Sequence, residues 1–326
     1  MNCAHLPLET MMPTRYDKAR TLGESIILLA VLVLTLLAAT RTFAADTKQK
    51  TFATPDEAVG ALVSATKADD VNAIRAILGT KPGELSSGDA VADRALRTQF
   101  AAAYEAKHAL TPSGDAMKLT IGNDDFPFAF PLVKTGDRWR FDSAAGKDEL
   151  LARRIGQNEL DAIKVLQAII DAQRDYASED RNGDGVLDYA TKFVSSTGKH
   201  DGLYWPTKAG EPPSPLGELV AQASKEGYKG KSGTATPFHG YYYRLLKGQS
   251  ASANGGALDY VVRGHAIAGF AVVAYPAKYA NSGIMTFMVN QDGKIFESDL
   301  GPSTQAKASA MQRFDPGKGW APVSQQ

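Results

Sequence analysis

Asp180, Asn182, Asp184 and Asp188 place oxygen-bearing side chains at positions one, three, five and nine of a short polar loop, with Gly185 at position six. A hard cation needs several oxygens converging on one point, and a loop delivers them when alternate side chains turn inward and a glycine permits the sharp bend. The carbonyl of Val186, at position seven, is the fifth donor of this pattern. The predicted ligand is Ca²⁺, held structurally. Position twelve is Thr191, not the bidentate Glu of a complete loop. Glu179 or a distant carboxylate is left to close the shell. A shell short of one ligand binds weakly, so the loop is expected to fill at about millimolar Ca²⁺ rather than to act as a switch. Leu187, at position eight, is expected to face the core. The alternative is a metal-free turn built from Asn182-Gly183 and Asp184-Gly185.

A second group joins titratable rings to a carboxylate and aromatics. His200, Asp201, Tyr204 and Trp205 lie in one irregular stretch, and Phe238-His239-Gly240 lies just before a strand. If the loops converge, His200, Asp201 and His239 are the candidates for general acid and base work. Otherwise the histidines orient loops and the aromatics pack. No serine sits in a Gly-x-Ser-x-Gly frame, and the chain has no P-loop, no HExxH and no dinucleotide fingerprint.

The elements that would position these residues read as two α+β domains, each with helices packed on an antiparallel sheet. In the first, residues 54–147, Thr54 caps a helix with Pro55 at its first position and Glu57 closing the box. Asp69-Asp70 starts a second helix that Gly79 ends. A third covers Ala92 to Ala109, with Leu96, Phe100 and Tyr104 on one stripe. Strands follow at Met117 to Ile121, Phe128 to Lys134 and Trp139 to Phe141, the last two joined by a turn at Thr135-Gly136-Asp137. The second domain, residues 148–326, opens with a long helix from Asp148 to about Ser178, broken near Gly156, with Leu160, Ile163, Leu166, Ile170 and Tyr176 at helical spacing. After the cation loop comes an irregular segment with Pro206, Pro212, Pro213 and Pro215. A short helix at Leu216 to Glu226 and strands at Tyr241 to Leu246, Ala266 to Ala274, Ile284 to Asn290 and Lys294 to Ser298 complete it. Asn290-Gln291-Asp292-Gly293 is a hairpin turn.

Residues 1–44 read as an export signal. Arg15, Lys18 and Arg20 precede an apolar run from Ser25 to Ala39, which is short for a membrane span, and Thr42-Phe43-Ala44 offers a cleavage site. The start of translation is Met1, Met11 or Met12. Residues 45–53 are expected to be a flexible leader. The single cysteine, Cys3, lies in the signal, so the mature chain has no disulfide, thiolate ligand or Cys nucleophile. Without the signal's charges, 32 Lys and Arg face 33 Asp and Glu, a net charge near −1. That balance argues against nucleic acid or an anionic membrane as partner.

Three resemblances follow from these residues. The helices and the Trp139-Arg-Phe141 strand of the first domain are similar to nuclear-transport-factor-like and cystatin-like rolls. In the second, the helix Asp161 to Tyr176, Gly240-Tyr-Tyr-Tyr-Arg244 and Met285 to Gly293 resemble the soluble heads of type IV pilins and pseudopilins. A pilin carries its apolar assembly helix where this chain has a whole polar domain. From about Thr54 to Phe314 the chain resembles the bacterial exported family called domain of unknown function 2950. The phrases that carry this are Asp125-Phe-Pro-Phe128, Trp139-Arg-Phe-Asp-Ser-Ala-Ala-Gly146, Tyr176 to Gly185, His200-Asp-Gly-Leu-Tyr-Trp-Pro206 and Phe238-His-Gly-Tyr-Tyr-Tyr-Arg244. That resemblance implies export and carries no activity with it. The function expected is a periplasmic or secreted, non-enzymatic module with a structural Ca²⁺ loop. Its expected partner is a protein, peptide or glycan of the envelope, with no nucleic acid and no membrane after signal cleavage. The alternatives are an envelope hydrolase using His200 and His239, and a pilin-like component of a secretion assembly.

Overall fold

Two long-range ties anchor the start of the described chain. Gln49 donates its side-chain amide to the carbonyls of Ile77 and Phe141, and the amide of Lys50 donates to Ala76. A computed structural model describes residues 48–228 and 236–324, so the expected signal at 1–44 lies outside the described residues. The protein is α+β, and the residues from Lys48 on pack as one unit.

Helix α1 (Pro55–Lys67) begins as its sequence requires: the Thr54 hydroxyl accepts from the Glu57 amide, and Glu57 accepts from the amide of Ala53. Helix α2 (Val71–Leu78) is capped by Asp70 and ended by Gly79 in the left-handed region, as expected. Helix α3 (Ala90–Ala106) is capped by Asp89. Phe100 and Tyr104 pack inward, but Leu96 is 48% exposed, because a strict four-residue repeat drifts off the buried face of a 3.6-residue helix. The helix expected as far as Ala109 stops at Ala106, and residues 108–113 form strand β1 (His108–Ser113), paired along its length with β2 (Ala116–Ile121). β3 (Phe126–Pro127) also pairs with β2. β4 (Leu132–Thr135) and β5 (Arg138–Phe141) form the hairpin expected at Gly136-Asp137. Sheet order is β1-β2-β4-β5.

Helix α4 (Ser143–Tyr176) is continuous past Gly156 and starts earlier than its hydrophobic pattern suggests. The carboxylate of Asp142 accepts from the amides of Ala144 and Ala145 and fixes the start. A Cβ on Gly146 would stand 2.0 Å from Cδ1 of Phe130, so only glycine lets the first turn of α4 lie on that ring. Leu150 packs with the core around Leu62, Phe130 and Leu132, while Ala162 to Tyr176 belongs to the core of the following sheet. Leu160, expected on the buried stripe, is 48% exposed.

The second half contains α5 (Gly217–Glu226) and strands β6 (Tyr241–Leu246), β7 (Gly248–Gln249), β8 (Leu258–Asp259), β9 (Ala271–Pro276), β10 (Met285–Asn290) and β11 (Phe296–Asp299). Helix α6 (Thr304–Ala310), β12 (Arg313–Phe314) and β13 (Ala321–Pro322) follow. The larger sheet has order β13-β11-β10-β9-β6, and a small one has β12-β7-β8. Both faces of the larger sheet are covered. Tyr241, Val272, Ala274, Phe287 and Val289 meet α4, while Leu246, Ala271, Val273 and Met288 meet Ala308 and Phe314. Double coverage explains why β9 reads as an unbroken apolar run instead of an alternating one. The Tyr241-Tyr242-Tyr243 run divides by face: Tyr241 and Tyr243 join the α4 side, and Tyr242 lies 5.6 Å from Tyr275 across the β6–β9 pair.

Candidate functional site

The cation loop leaves the C-terminal end of α4, where the Tyr176 hydroxyl donates to the carbonyl of His200. Its first carboxylate organises the bend. Asp180 Oδ1 accepts from the amides of Gly183 and Asp184 at 2.8 and 3.1 Å, and Oδ2 accepts from Gly185 at 2.9 Å. Asn182 Oδ1 accepts from the Asp184 amide, and Asp184 Oδ1 from the Val186 amide. Gly183 and Gly185 hold φ of 77° and 83°, the left-handed values that such a bend demands. The Gly185 amide, with those of Gly183 and Asp184, holds the Asp180 carboxyl below the usual carboxylate range. Asp180 Oδ1 is filled by two amides, but Asp180 Oδ2, Asn182 Oδ1 and Asp184 Oδ1 each accept one and keep a second lone pair, so these bonds preform the loop and leave capacity for a cation.

Asp188 is different. It is only 7% exposed, and burial pushes its carboxyl up, with the nearby charge of Asp184 adding to the shift. The Ala266 amide and His265 offset part of that. His265 Nδ1 lies 3.4 Å from Asp184 Oδ2 and 3.4 Å from Asp188 Oδ2. One ligand atom from each of Asp184, Asp188 and His265 falls within 4.8 Å of the other two.

Backbone pairing explains how residues so distant in sequence meet. Tyr189 and Ala266 form an antiparallel bridge, with the Tyr189 amide donating to the Ala266 carbonyl. Val262 and His265 exchange both backbone bonds across Arg263-Gly264, whose φ of 53° and 94° mark a type I′ turn. That hairpin presents His265 to the loop. Sequence reasoning missed His265. The signal was there in Val261-Val262-Arg263-Gly264-His265, two β-branched residues leading into a turn dipeptide, but nothing local says which loop the turn faces.

Two expectations about the loop are corrected. Leu187 does not face the core; it is 60% exposed, and Tyr189 and Ala190 supply the apolar contacts. The reason is the bridge at Tyr189, which sets the inward register one residue later. Glu179 does not complete the shell: it is exposed and pairs with Arg181 at 3.6 Å. Thr191 is exposed. The additional group turned toward the carboxylates is therefore an imidazole, not an acid.

Beside the loop lies an open groove of about 490 Å³, lined by Arg181, Asn182, Asp184, Lys199, His200 and Asp201. His200 stacks on Trp205 with centroids 4.2 Å apart and planes at 19°. Asp201 accepts from Lys192 Nζ at 2.6 Å and from the amide and hydroxyl of Ser196. Lys192 first, and Ser196 after it, bring its carboxyl down to about 2. Tyr204 packs against the α4 core.

His239 sits in other company. Its Nε2 lies 3.4 Å from Glu226, and its ring contacts Tyr228 and Phe238. The contacts of His200 (Trp205 and, through its carbonyl, Tyr176) and those of His239 have no residue in common. Next to His239, Asp89 is 2% exposed. Its Oδ1 caps α3 through the amides of Val91 and Ala92, and its Oδ2 accepts from the Tyr228 hydroxyl at 2.7 Å and the Gly240 amide at 3.2 Å. This carboxylate ties α3 to the segments around Tyr228 and Gly240.

No helix of the described residues is long and apolar enough to cross a membrane. The chain matches no curated protein and no solved structure. A family model covers residues 49–323, nearly all of the described chain, and the protein accordingly belongs to the family described as protein of unknown function, DUF2950.

Proposed function

We propose that this chain is an exported, non-enzymatic binding module of the cell envelope, in which Ca²⁺ held by the Asp180–Asp188 loop stiffens the second half. The observation that carries the reading is the convergence of Asp184 and Asp188 in a loop already folded by Asp180 and Asn182. Two carboxylates brought together, one of them buried, favour a cation between them. Export rests on the apolar run and small residues of the leader. The near-zero charge of the mature chain favours a protein, peptide or glycan partner over nucleic acid.

The hydrolase alternative is less favoured, because His200, Asp201 and His239 are each engaged with different neighbours. The pilin alternative asks the first half of α4 to be an apolar assembly helix, whereas Lys147, Asp148, Glu149, Arg153, Arg154 and Glu159 make it polar.

The test is a thermal melt of the full chain in Ca²⁺ and in chelator. At tenfold excess over Kd a single site adds roughly 1.4 kcal/mol, a rise of about 3–5 °C for a chain of this size. With Kd near millimolar that excess is about 10 mM, and superimposed melts at about 10 mM Ca²⁺ would remove the ion from the reading.

A further inference from the structure

We propose that Asp184, Asp188 and His265 form a second way of closing the same loop: a three-ligand site for a borderline cation such as Zn²⁺, competing with Ca²⁺ for two shared carboxylates. The inference rests on the cation-loop reading and adds to it the class of metal and a ligand, His265, that lies outside the loop.

The donor set is the first argument. Ca²⁺ takes oxygen, and a nitrogen among its neighbours contributes little; a borderline cation takes imidazole and carboxylate together. Every loop position that a calcium pattern names is an oxygen donor, yet the group brought in from outside is a nitrogen. The carboxylate required at position twelve is replaced by exposed Thr191. His265 is thus not a substitute for the missing Glu in kind.

Geometry is the second. A tetrahedral ion with bonds of about 2.0–2.1 Å sets its ligand atoms about 3.3–3.4 Å apart. His265 Nδ1 is 3.4 Å from Asp184 Oδ2 and 3.4 Å from Asp188 Oδ2, and the ligand oxygens of the two aspartates lie within 4.8 Å of each other, so two edges match and the third is within a side-chain adjustment of it. Asp184 Oδ1 is turned to the Val186 amide, so its Oδ2 is the atom facing the imidazole. Three protein ligands leave the fourth position to water, and Asp184, His265 and the groove beside Asn182 are partly exposed, which gives an ion a way in.

Rigidity is the third. His265 is not carried on a loose loop: the type I′ turn at Arg263-Gly264, the paired backbone bonds with Val262 and the Tyr189–Ala266 bridge fix its Cα against the loop. Asp188 is anchored by burial and by the Ala266 amide. A site held this way needs little ordering on binding.

The experiment titrates metal-stripped full-length chain by calorimetry with Zn²⁺ and separately with Ca²⁺, for the native chain, His265→Ala and Asp180→Ala. Substituted Co²⁺ supplies an absorption spectrum that reports tetrahedral coordination. His265 is partly exposed on a hairpin, so its variant should fold, and circular dichroism checks this. The expected result is one Zn²⁺ per chain, bound at least about tenfold tighter than Ca²⁺, with intense tetrahedral Co²⁺ bands. His265→Ala should lose about ten- to a hundredfold in Zn²⁺ affinity with Ca²⁺ unchanged. Asp180→Ala removes the acceptor that folds the loop carrying Asp184, so it should weaken both metals, and Ca²⁺ more than Zn²⁺ because Asp180 is a ligand only in the calcium pattern. Zn²⁺ binding that ignores His265→Ala, or that is no tighter than Ca²⁺, overturns the proposal. If Ca²⁺ still binds through Asp180 in that case, the loop reading survives. If neither metal produces heat, both fall together.

Discussion

Asp89 and Asp188 are both buried aspartates, 2% and 7% exposed, and their surroundings could hardly differ more. Asp89 is saturated by neutral donors: two helix amides, one phenol and one loop amide. None of these four partners is a carboxylate. Asp188 has one backbone donor, an imidazole, and a second carboxylate beside it that works against its ionisation. A buried carboxylate whose lone pairs are filled by neutral donors is architecture. One with a second carboxylate within 4.8 Å is a place for a cation.

The comparison makes its largest prediction at Asp89. Asp89→Ala removes a helix cap and leaves the Tyr228 hydroxyl and the Gly240 amide without their acceptor. A cap is worth about 1 kcal/mol and each of the two buried unpaired groups about 1–3 kcal/mol, so the loss should be at least about 3 kcal/mol, or at least about 6 °C in Tm. The loss should be the same in Ca²⁺ and in chelator. A loss that appears only in chelator would mean that the two sites are not separate.

Asp188→Asn should do the reverse. The metal-stripped chain should melt at the same temperature or up to about 3 °C higher, because a like-charge contact is relieved at a cost of at most about 1 kcal/mol in lost bonding. The rise in Tm with Ca²⁺ should vanish. Denaturation in paired buffers checks both parts. If this variant is strongly destabilised without metal, Asp188 is as structural as Asp89 and the distinction fails. Tyr228→Phe is the intermediate case. It deletes one donor to Asp89 and should cost about 1–2 kcal/mol with no change in metal response.

Of these two carboxylates, only one could be read from sequence. The loop is legible because its information is local: alternation, two glycines and a preceding helix lie within a dozen residues. The hairpin turns at Gly136 and Gly293, the cap at Thr54 and strand β6 are local in the same way, and they stand where their residues say. In sequence Asp89 is one more polar residue before a helix. Its other partners, Tyr228 and Gly240, come from segments that a tertiary fold alone brings together. His265 is hidden for the same reason, since a single backbone bridge at Tyr189 decides which loop it meets. The start of α4 was misplaced because Asp142 and Gly146 act through a hydrogen-bonded cap and a close ring contact, neither of which appears in a hydrophobic period. Leu96, Leu160 and Leu187 have the spacing of inward residues and each is exposed: Leu96 because its four-residue repeat drifts around the helix, Leu187 because the bridge at Tyr189 shifts the register, and Leu160 because spacing fixes a face but not whether anything covers it.

Asp201 offers the smallest and sharpest test, as a third carboxylate with good bonds but only partial burial. Lys192 and Ser196 hold its pKa at about 2, below the ordinary value of 3.8. A carboxylate whose folded pKa is depressed stabilises the fold above its unfolded pKa, and that contribution is lost as the pH falls through the folded one. The window is therefore about pH 4 down to about pH 2, and nothing should change near neutrality. Its Lys192 partner is 47% exposed, so solvent screens the pair and the contribution should stay below about 1 kcal/mol. Carboxyl chemical shifts followed by NMR through that range should show Asp201 titrating last among the exposed aspartates, and Lys192→Met should move it back toward 3.8. Asp201→Asn should cost about 1 kcal/mol or less at neutral pH and flatten the acid limb of stability. If it costs as much as Asp89→Ala, hydrogen bonding alone would set the weight of a carboxylate in this protein, and burial would have to be dropped as the feature that separates its aspartates.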